Sequence, residues 1–511
     1  TAQPAAAGLD AAAFIEPLFA CPVLEPAGTF LVKDNTLDLE LSEYAGYAGL
    51  IVANGGLEPS ENSHFFKKHG FKVRIKLSEE ESWGALNAGR IAASATTVDV
   101  LVAYCRNFQV SAPVQIGFSR GADGLVVRKE VRRFNDLKGR TLVTAQFTEA
   151  DFFVRYLAQE AGIPVHLLSQ PDESPKSDHI NLLFAADAFA AGDLFAQELA
   201  AGGTTLAGCV TWAPKTTEVV EASKGAAHLL TTNKNLLIVA DILVVNRGFA
   251  QANPKLVAGL TEGLLEGNRL VRDNPAAHLA LLGRVFKWSP DEARAELAKV
   301  HLSNLPENLA FYAGTIDSAG SFSGIFSSAT LAYGALIDQP SDAERYMDPT
   351  HLQALQAAGA FAGQQISLSP IRSSGAGALE GDPLLSKDIR FLFEPNSANL
   401  DLQSRDNLTN LDALKRLLQV SPGSTLLLRG HVDNALVERF REQGGETFVR
   451  KMALEAMQLS KNRANEIRRV LTERLQVPAD RVQTVGRGWE EPSGTEAERN
   501  RRVEVQWFTV E

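Results

Sequence analysis

The sequence predicts an α/β module followed by a smaller α+β domain. Three observations carry this. Strand-like and helix-like stretches alternate from residue 37 into the 240s, the order expected of helices packed on a mostly parallel sheet. A Ser/Gly/Pro-rich segment then interrupts the pattern at 365–388, and its composition is that of a linker. Beyond it, over 389–511, the apolar spacing restarts as a compact β-α-β-α-β order. The 511 residues suit roughly two to four folding units. With 45% hydrophobic and 22% charged residues, there is apolar material for sizeable cores.

Residues 1–36 are Ala/Pro-rich with one apolar patch, Phe14 to Val23, and read as a lead-in to the module at 37–364. The start at Thr1 suggests that a targeting or membrane-anchoring segment has been removed. Phe71, Val73, Ile75 and Leu77 alternate with Lys72, Arg74 and Lys76, a period of two that predicts a strand. Glu79 to Gly89 reads as a helix carrying Trp83 and Leu86, and Val98 to Tyr104 as a short apolar helix. Strands are expected at Gly124 to Val127, Thr141 to Thr144 and Leu237 to Val245, with a helix over Asp151 to Gly162. Three helices follow, Pro254–Asn274, Pro275–Phe286 and Ser289–Val300, each opening near Pro or Ser. The linker at 365–388 includes Ser373-Ser374-Gly375-Ala376-Gly377. After it come a strand at Ile389 to Phe393 and a helix over Asn407 to Val420 with Leu408, Leu411, Leu414, Leu417 and Leu418 on one face. A strand at Thr425 to Arg429, a helix over Leu459 to Leu475 and a last strand through Val503, Val505 and Trp507 complete the domain.

Composition removes several functions. A net charge of −11 and a pI near 5.5 do not provide the basic face that nucleic acid requires. No run of 18 or more apolar residues spans a bilayer. Cys21, Cys105 and Cys209 form no CxxC pair, so no zinc or iron–sulfur site is expected, and the odd count leaves at least one thiol outside any intramolecular disulfide. No P-loop, HExxH or dinucleotide fingerprint is present, and no cofactor or metal is implied. One string has the form of a nucleophile elbow, Gly117-Phe118-Ser119-Arg120-Gly121. An elbow needs a helix to start at the serine. Here the strand-like run Leu125 to Val127 follows at once, so a serine hydrolase is a remote alternative and no enzyme is expected.

The strings IRFLFEPNSANL (389–400), LLLRGHVDN (426–434), LSKNRANEIRRVL (459–471), VGRGWEEP (485–492) and NRRVEV (500–505) resemble, in order, the blocks of OmpA-like peptidoglycan-binding domains. The resemblance implies binding to the diaminopimelate of the wall's stem peptide, whose ammonium and carboxylate share one carbon. Asp433 would hold the ammonium and Arg463 the carboxylate, with Asn396 and Arg501 as further candidates on the same face. The bland alternative is a surface ion pair of little worth. His431 is expected to be packed and hydrogen-bonded, and Arg499, Arg501 and Arg502 either touch acidic glycan or flank a strand. Two departures stand out. Val432 replaces the usual Thr, and the extra stretch 436–457, with Gly444-Gly445, lies between Asp433 and Arg463, where it could cover or reshape the pocket.

The module at 37–364 resembles the substrate-binding proteins of nitrate/sulfonate/taurine-type ABC transporters. The matching stretches are GYAGLIVANGG (46–56), FFKKHGFKVRI (65–75), SWGALNAGRIAAS (82–94), the crossover through Ser119 to Val127 and Phe134 to Arg140, Gly208 to Pro214, and the helical run 253–275. That family has two lobes that close on a solute by a hinge, so the second lobe falls at about 124–244. By position, the solute-binding candidates are Tyr47, Ala48, Gly49, Thr96, Thr97, Ser119, Arg120, Thr148, Glu149 and Trp212. The bland readings are a helix cap for Thr97 and a core position for Trp212. Glu149 would disfavour a small anion and favour an amine, so an anion and an amino-acid-like solute both stay open. Together the two resemblances imply a non-catalytic periplasmic protein, associated with the cell wall, that anchors to peptidoglycan and binds a small solute. An inner-membrane transporter or an envelope complex is the implied protein partner. The alternative is a structural or sensor subunit of an envelope complex with a vestigial cleft.

Overall fold

A computed structural model describes residues 9–79, 82–315, 320–368, 383–394 and 397–509. The glycine-serine run at 373–377 and the candidate Asn396 lie outside the described residues. The chain divides into two compact units, one built chiefly from residues up to Ser369 and one chiefly from Pro370 onward.

The first unit holds two six-stranded sheets. One contains β1 (Thr36–Leu41), β2 (Lys72–Leu77), β3 (Ala93–Thr97) and β4 (Val110–Ser119). The second contains β5 (Asp123–Arg128), β6 (Thr141–Thr144), β7 (Val165–Leu167), β8 (Ile180–Phe184), β9 (Leu206–Trp212) and β10 (Ala227–Thr232). The chain then returns to the first sheet with β11 (Ala240–Asn246) and β12 (Val300–Leu302). The strand orders are β12-β4-β11-β3-β1-β2 and β10-β5-β9-β6-β8-β7. Two direct crossovers, β4 to β5 and β10 to β11, define two lobes joined by a double-stranded hinge. The first unit is thus a two-lobed α/β fold.

Three expectations need correction. The sheets are mixed rather than mostly parallel: β1, β2 and β3 are parallel, as are β6 to β9, but β4, β5, β10, β11 and β12 pair antiparallel. A parallel neighbour needs a long return, usually a helix, and the crossing strands are joined by short turns instead. The second lobe ends with β10 rather than at residue 244, because β11 lies between β3 and β4. The lead-in is not a loose segment. Phe14 enters the hydrophobic core of the second lobe, Ile15 N–H donates to Phe184 O at 2.8 Å, and Leu18 exchanges two 2.8 Å hydrogen bonds with Gln146. Cys21 is disulfide-bonded to Cys105, and Phe30 packs edge-on against Phe249 in the first lobe, while Cys209 is a free buried thiol. Residues 14–30 thus strap both lobes.

The second unit carries β13 (Leu385–Ile389), β14 (Thr425–Gly430), β15 (Val482–Gly486) and β16 (Val503–Phe508) in the order β13-β16-β14-β15. Its helices are Arg405–Val420 and Val437–Arg469. It is a smaller α+β domain, as expected, but differs in detail. The first strand begins at Leu385 and ends at Ile389 instead of running from Ile389 to Phe393, because the chain leaves the ladder at Arg390 and turns Phe391 inward. β15 was missed, since only Val482 and Gly486 of its five residues are buried and no alternation results. Leu408 is 45% exposed, outside the buried stripe of Leu411, Leu414, Leu417 and Leu418. The expected helix at 459–475 is the end of a longer one that breaks at Gly444-Gly445, where Gly445 has φ +64°. No helix among the described residues is long and apolar enough to cross a membrane.

The Cys21–Cys105 bond closes a separation of 84 residues. Its loss in Cys21→Ser should cost the first unit about 2–4 kcal/mol through the freedom returned to the unfolded chain. Urea unfolding of the variant against the oxidised wild type measures it.

Candidate functional site

Two places gather polar groups that the fold leaves available. The first is in the C-terminal unit. Gly430, at the end of β14, has no room for a side chain: a Cβ there would lie 2.1 Å from Ser460 O. The helix Val437–Arg469 therefore sits directly on the sheet and carries Arg463 to a cavity of about 160 Å³, whose walls include Phe391, Phe393, His431, Arg463, Arg501 and Arg502. The Arg463 guanidinium lies 4.9 Å from the Phe393 ring centroid, and its buried Nε has no hydrogen-bond partner among the described residues. Burial and the Arg501 charge pull the Arg463 pKa below its ordinary value, with Asp433 acting in the opposite sense.

Asp433 joins the cavity through Arg501, whose Nε donates to Asp433 Oδ2 at 2.6 Å; the Ala435 N–H donates to Oδ1 at 3.1 Å. Partial burial works against the carboxylate, but these bonds outweigh it and hold the Asp433 pKa below its usual value. Thus Asp433, Arg463 and Arg501 come together, with Arg501 rather than Arg463 paired to Asp433. The stretch 436–457 contributes none of the cavity's lining. It is helical, and its Phe440 stacks on Trp489 with ring centroids 6.2 Å apart. His431 is buried as expected and its N–H donates to Arg502 O at 2.9 Å, but its ring nitrogens have no hydrogen-bond partner among the described residues: Nε2 lies 3.6 Å from Glu504 Oε2. Arg502 reaches Asp388 at 3.1 Å, flanking β13, and Arg499 is an exposed partner of Glu496.

The second place is the hinge of the N-terminal unit. Asn233, just after β10, clasps the opposite crossover. Gly121 N–H donates to Asn233 Oδ1 at 2.8 Å, Asn233 Nδ2 donates to Ser119 O at 3.2 Å and to Asp123 Oδ2 at 2.9 Å, and its own N–H donates to Asp123 O at 3.0 Å. Ser119 Oγ donates to the same Asp123 oxygen, and Arg120 Nε donates to Lys234 O at 3.0 Å. Ser119 and Arg120 are hinge residues, and β5 rather than a helix follows the Gly-x-Ser-x-Gly string.

The other sequence candidates divide. Gly49 serves packing: a Cβ there would lie 2.1 Å from Asn268 Oδ1 on the helix Pro254–Asp273. Tyr47 is buried beside Ala48. Thr148 Oγ1 donates to Ala145 O at 2.8 Å, and Glu149 is half-buried at the start of the helix Glu149–Ala161. Thr97 is 1% exposed, has no partner for its hydroxyl among the described residues and lies directly opposite Asp241 in the antiparallel β3–β11 pair, so both side chains share one face, while Thr96 takes the other. Trp212 likewise lies opposite Asp123 in the β5–β9 pair and packs against Phe189. Asp99, Asp123, Asp241 and Tyr44 were not anticipated, although each is buried. Tyr44 OH donates to Asp241 Oδ2 at 3.3 Å. Burial, together with the neighbouring Asp123 charge, pushes Asp241 well above the usual carboxylate range, and burial lifts Asp123 to about 6 despite its bonds to Ser119 and Asn233. A charged residue within a strand looks like an interruption in sequence, which is why Asp241 was read past.

Three groups of side chains among the described residues bring donor atoms within metal-ligand reach of one another. Cys21, Cys105 and Asp338 include the disulfide. In His64, His69 and Glu262, Lys68 Nζ already lies 2.6 Å from the carboxylate. In His431, Glu491 and Glu504, Arg429 bridges both carboxylates at 2.7 Å.

Residues 392–506 match the OmpA family, and the C-terminal unit is an OmpA-family domain. Comparison with curated proteins gives no match. Among solved structures, the alkanesulfonate-binding protein of Xanthomonas axonopodis pv. citri bound to MOPS is 16% identical, covering 62% of this chain and 100% of its own, with a TM-score of 0.45. The periplasmic aliphatic sulphonate binding protein of Escherichia coli is 16% identical over 68% of this chain and 99% of its own, at 0.46. The periplasmic nitrate-binding protein of Synechocystis PCC 6803 is 11% identical over 63% and 89%, at 0.43.

Burial opposes the charge on Glu504, but its contacts with His431, Gln506 and Arg429 hold its pKa at about 2, against 4.5 for the free group. The folded pKa is the lower one, so this stabilisation is present above pH 4.5 and is lost as pH falls towards 2. Glu504→Gln should remove about 2–3 kcal/mol of acid-dependent stability from the C-terminal unit. Urea unfolding at a series of pH values from 6 to about 2.5 compares the variant with wild type.

Proposed function

We propose that this chain is a non-catalytic cell-envelope protein that grips peptidoglycan through its C-terminal unit and holds a small solute between the lobes of its N-terminal unit. The observation that carries the wall grip is Arg463. Its guanidinium lies 4.9 Å from the Phe393 ring centroid, with a buried donor that has no partner among the described residues, near the Asp433–Arg501 pair. A buried donor without a partner is costly, and a carboxylate arriving at the cavity would satisfy it. The diaminopimelate of the stem peptide supplies that carboxylate together with an ammonium. Arg463 takes the carboxylate, Asp433 the ammonium, and Arg501, half exposed, swings from Asp433 toward the ligand's anionic groups.

A periplasmic, wall-associated location suits both units, and the Cys21–Cys105 disulfide suits an oxidising compartment. The N-terminal unit is read as a solute receptor because its two lobes meet at a hinge with unsatisfied polar groups buried beside it. An inner-membrane transporter or an envelope complex is its partner. A second reading, a structural or sensor subunit with a vestigial cleft, is favoured by the strap of residues 14–30, which ties both lobes and would restrain their opening. Catalysis at Ser119 has no support in the hinge, where its hydroxyl is bonded to Asp123.

Calorimetry with a diaminopimelate-containing muropeptide tests the wall grip. Asp433→Ala and Arg463→Ala should each weaken binding by at least about tenfold while the domain stays folded. Unchanged affinity in both variants, or no binding by the wild type, contradicts the assignment.

A further inference from the structure

The cleft carries a charge pattern that neither resemblance anticipates. Asp99, Asp123 and Asp241 are 0%, 2% and 3% exposed. Asp241 stands on β11 and Asp123 opens β5, so one lies in each lobe's sheet on either side of the hinge, while Asp99 sits in the first turn of the helix Val98–Ala103. The negative charges of Asp123 and Asp99 both act on Asp241. Neither Asp123 nor Asp241 has a Lys, Arg or His ion-pair partner among the described residues. Arg120 donates to Lys234 O, and Arg155 is paired with Asp151 at 2.7 Å. Buried carboxylates without a countercharge oppose folding, and proteins keep them where something else supplies the charge.

A second observation points into the same spot. The Thr97 hydroxyl, 1% exposed, faces the same side of the sheet as Asp241 and has no partner among the described residues, and Asp123 Oδ1 is also buried without one among them. An ammonium has three N–H donors and no acceptor, and needs converging oxygens of this kind. Trp212, cross-strand from Asp123, offers an aromatic face beside them. A sulfonate or nitrate at the same place would meet carboxylates at short range with no cation to offset them.

We infer that the interlobe cleft selects a small solute bearing a protonated amine, held by Asp241, Asp123 and Thr97, and rejects small inorganic or sulfonate anions. This rests on the reading of the N-terminal unit as a solute receptor and names the solute's class. Asn233 and Ser119 are positioning residues, since both act through Asp123.

The test uses the full chain in thermal-shift and calorimetric titrations. The probes are L-lysine, putrescine and ethylammonium on one side, and nitrate and methanesulfonate on the other, at matched ionic strength. At least one amine should raise the melting temperature by about 3 °C or more at saturation, and neither anion should do so. Asp241→Asn keeps an acceptor for Tyr44, and should weaken the amine at least about tenfold while raising the melting temperature of the ligand-free chain, because a buried carboxyl without an ion-pair partner among the described residues is replaced by a neutral amide. Stabilisation by an anion and not by an amine overturns this inference and leaves the receptor reading standing. No shift with any probe overturns both. An amine whose affinity is unchanged in Asp241→Asn overturns the site, and a fall in ligand-free melting temperature in that variant assigns Asp241 a structural role and overturns it equally.

Discussion

The Asn233 clasp is the constraint on which the N-terminal unit depends. Two strands cross between the sheets with no helix to brace them, so their backbone groups must be satisfied locally. One amide side chain does this for both crossovers, accepting from Gly121 and donating to Ser119 O and Asp123 Oδ2. It holds one oxygen of Asp123, while the other is buried without a hydrogen-bond partner among the described residues. Asn233 therefore fixes Asp123 within the element that joins the two lobes.

The C-terminal unit rests on a comparable contact made by an absence. Gly430 lets Ser460 O approach β14, and Gly486 does the same for Met457 O at β15, so one helix lies against two parallel strands with no side chain between. Arg463 is three residues beyond Ser460, so nearly one helical turn carries it to the cavity. The helix extends back through the inserted stretch without occupying the cavity wall. Gly444-Gly445 breaks its direction, and Phe440 anchors the extension on Trp489.

Much of this was legible in the sequence, and what was not has physical reasons. The period-two strand at 72–77 and the helices at 149–161, 254–273 and 405–420 follow from local pattern, because each buries one face. The composition of 365–388 marks where the apolar spacing changes. The mixed strand directions and the lobe boundary were hidden, because pairing partners are set by tertiary contacts that periodicity does not carry. Candidates chosen by position in the loops, such as Gly49, Ser119 and Arg120, became packing and hinge residues. The strongest polar features of the cleft, Asp123 and Asp241, sit inside strands where a sequence reading expects apolar neighbours. Asp433, Arg463 and Arg501 were located as a group by motif, whereas the direct pairing of Asp433 with Arg501 depends on the return of β16 and is visible only in three dimensions.

The central claim is that the arginine-rich cavity is where the wall is gripped. Hydrogen–deuterium exchange of the full chain, with and without a diaminopimelate-containing muropeptide, tests it most directly. The expected result is new protection in peptides covering 390–393, 430–435, 460–464 and 500–503, with the hinge at 119–123 and 232–235 unchanged. Protection confined to the helical extension at 437–457, or none in the cavity peptides at saturating muropeptide, would contradict the account.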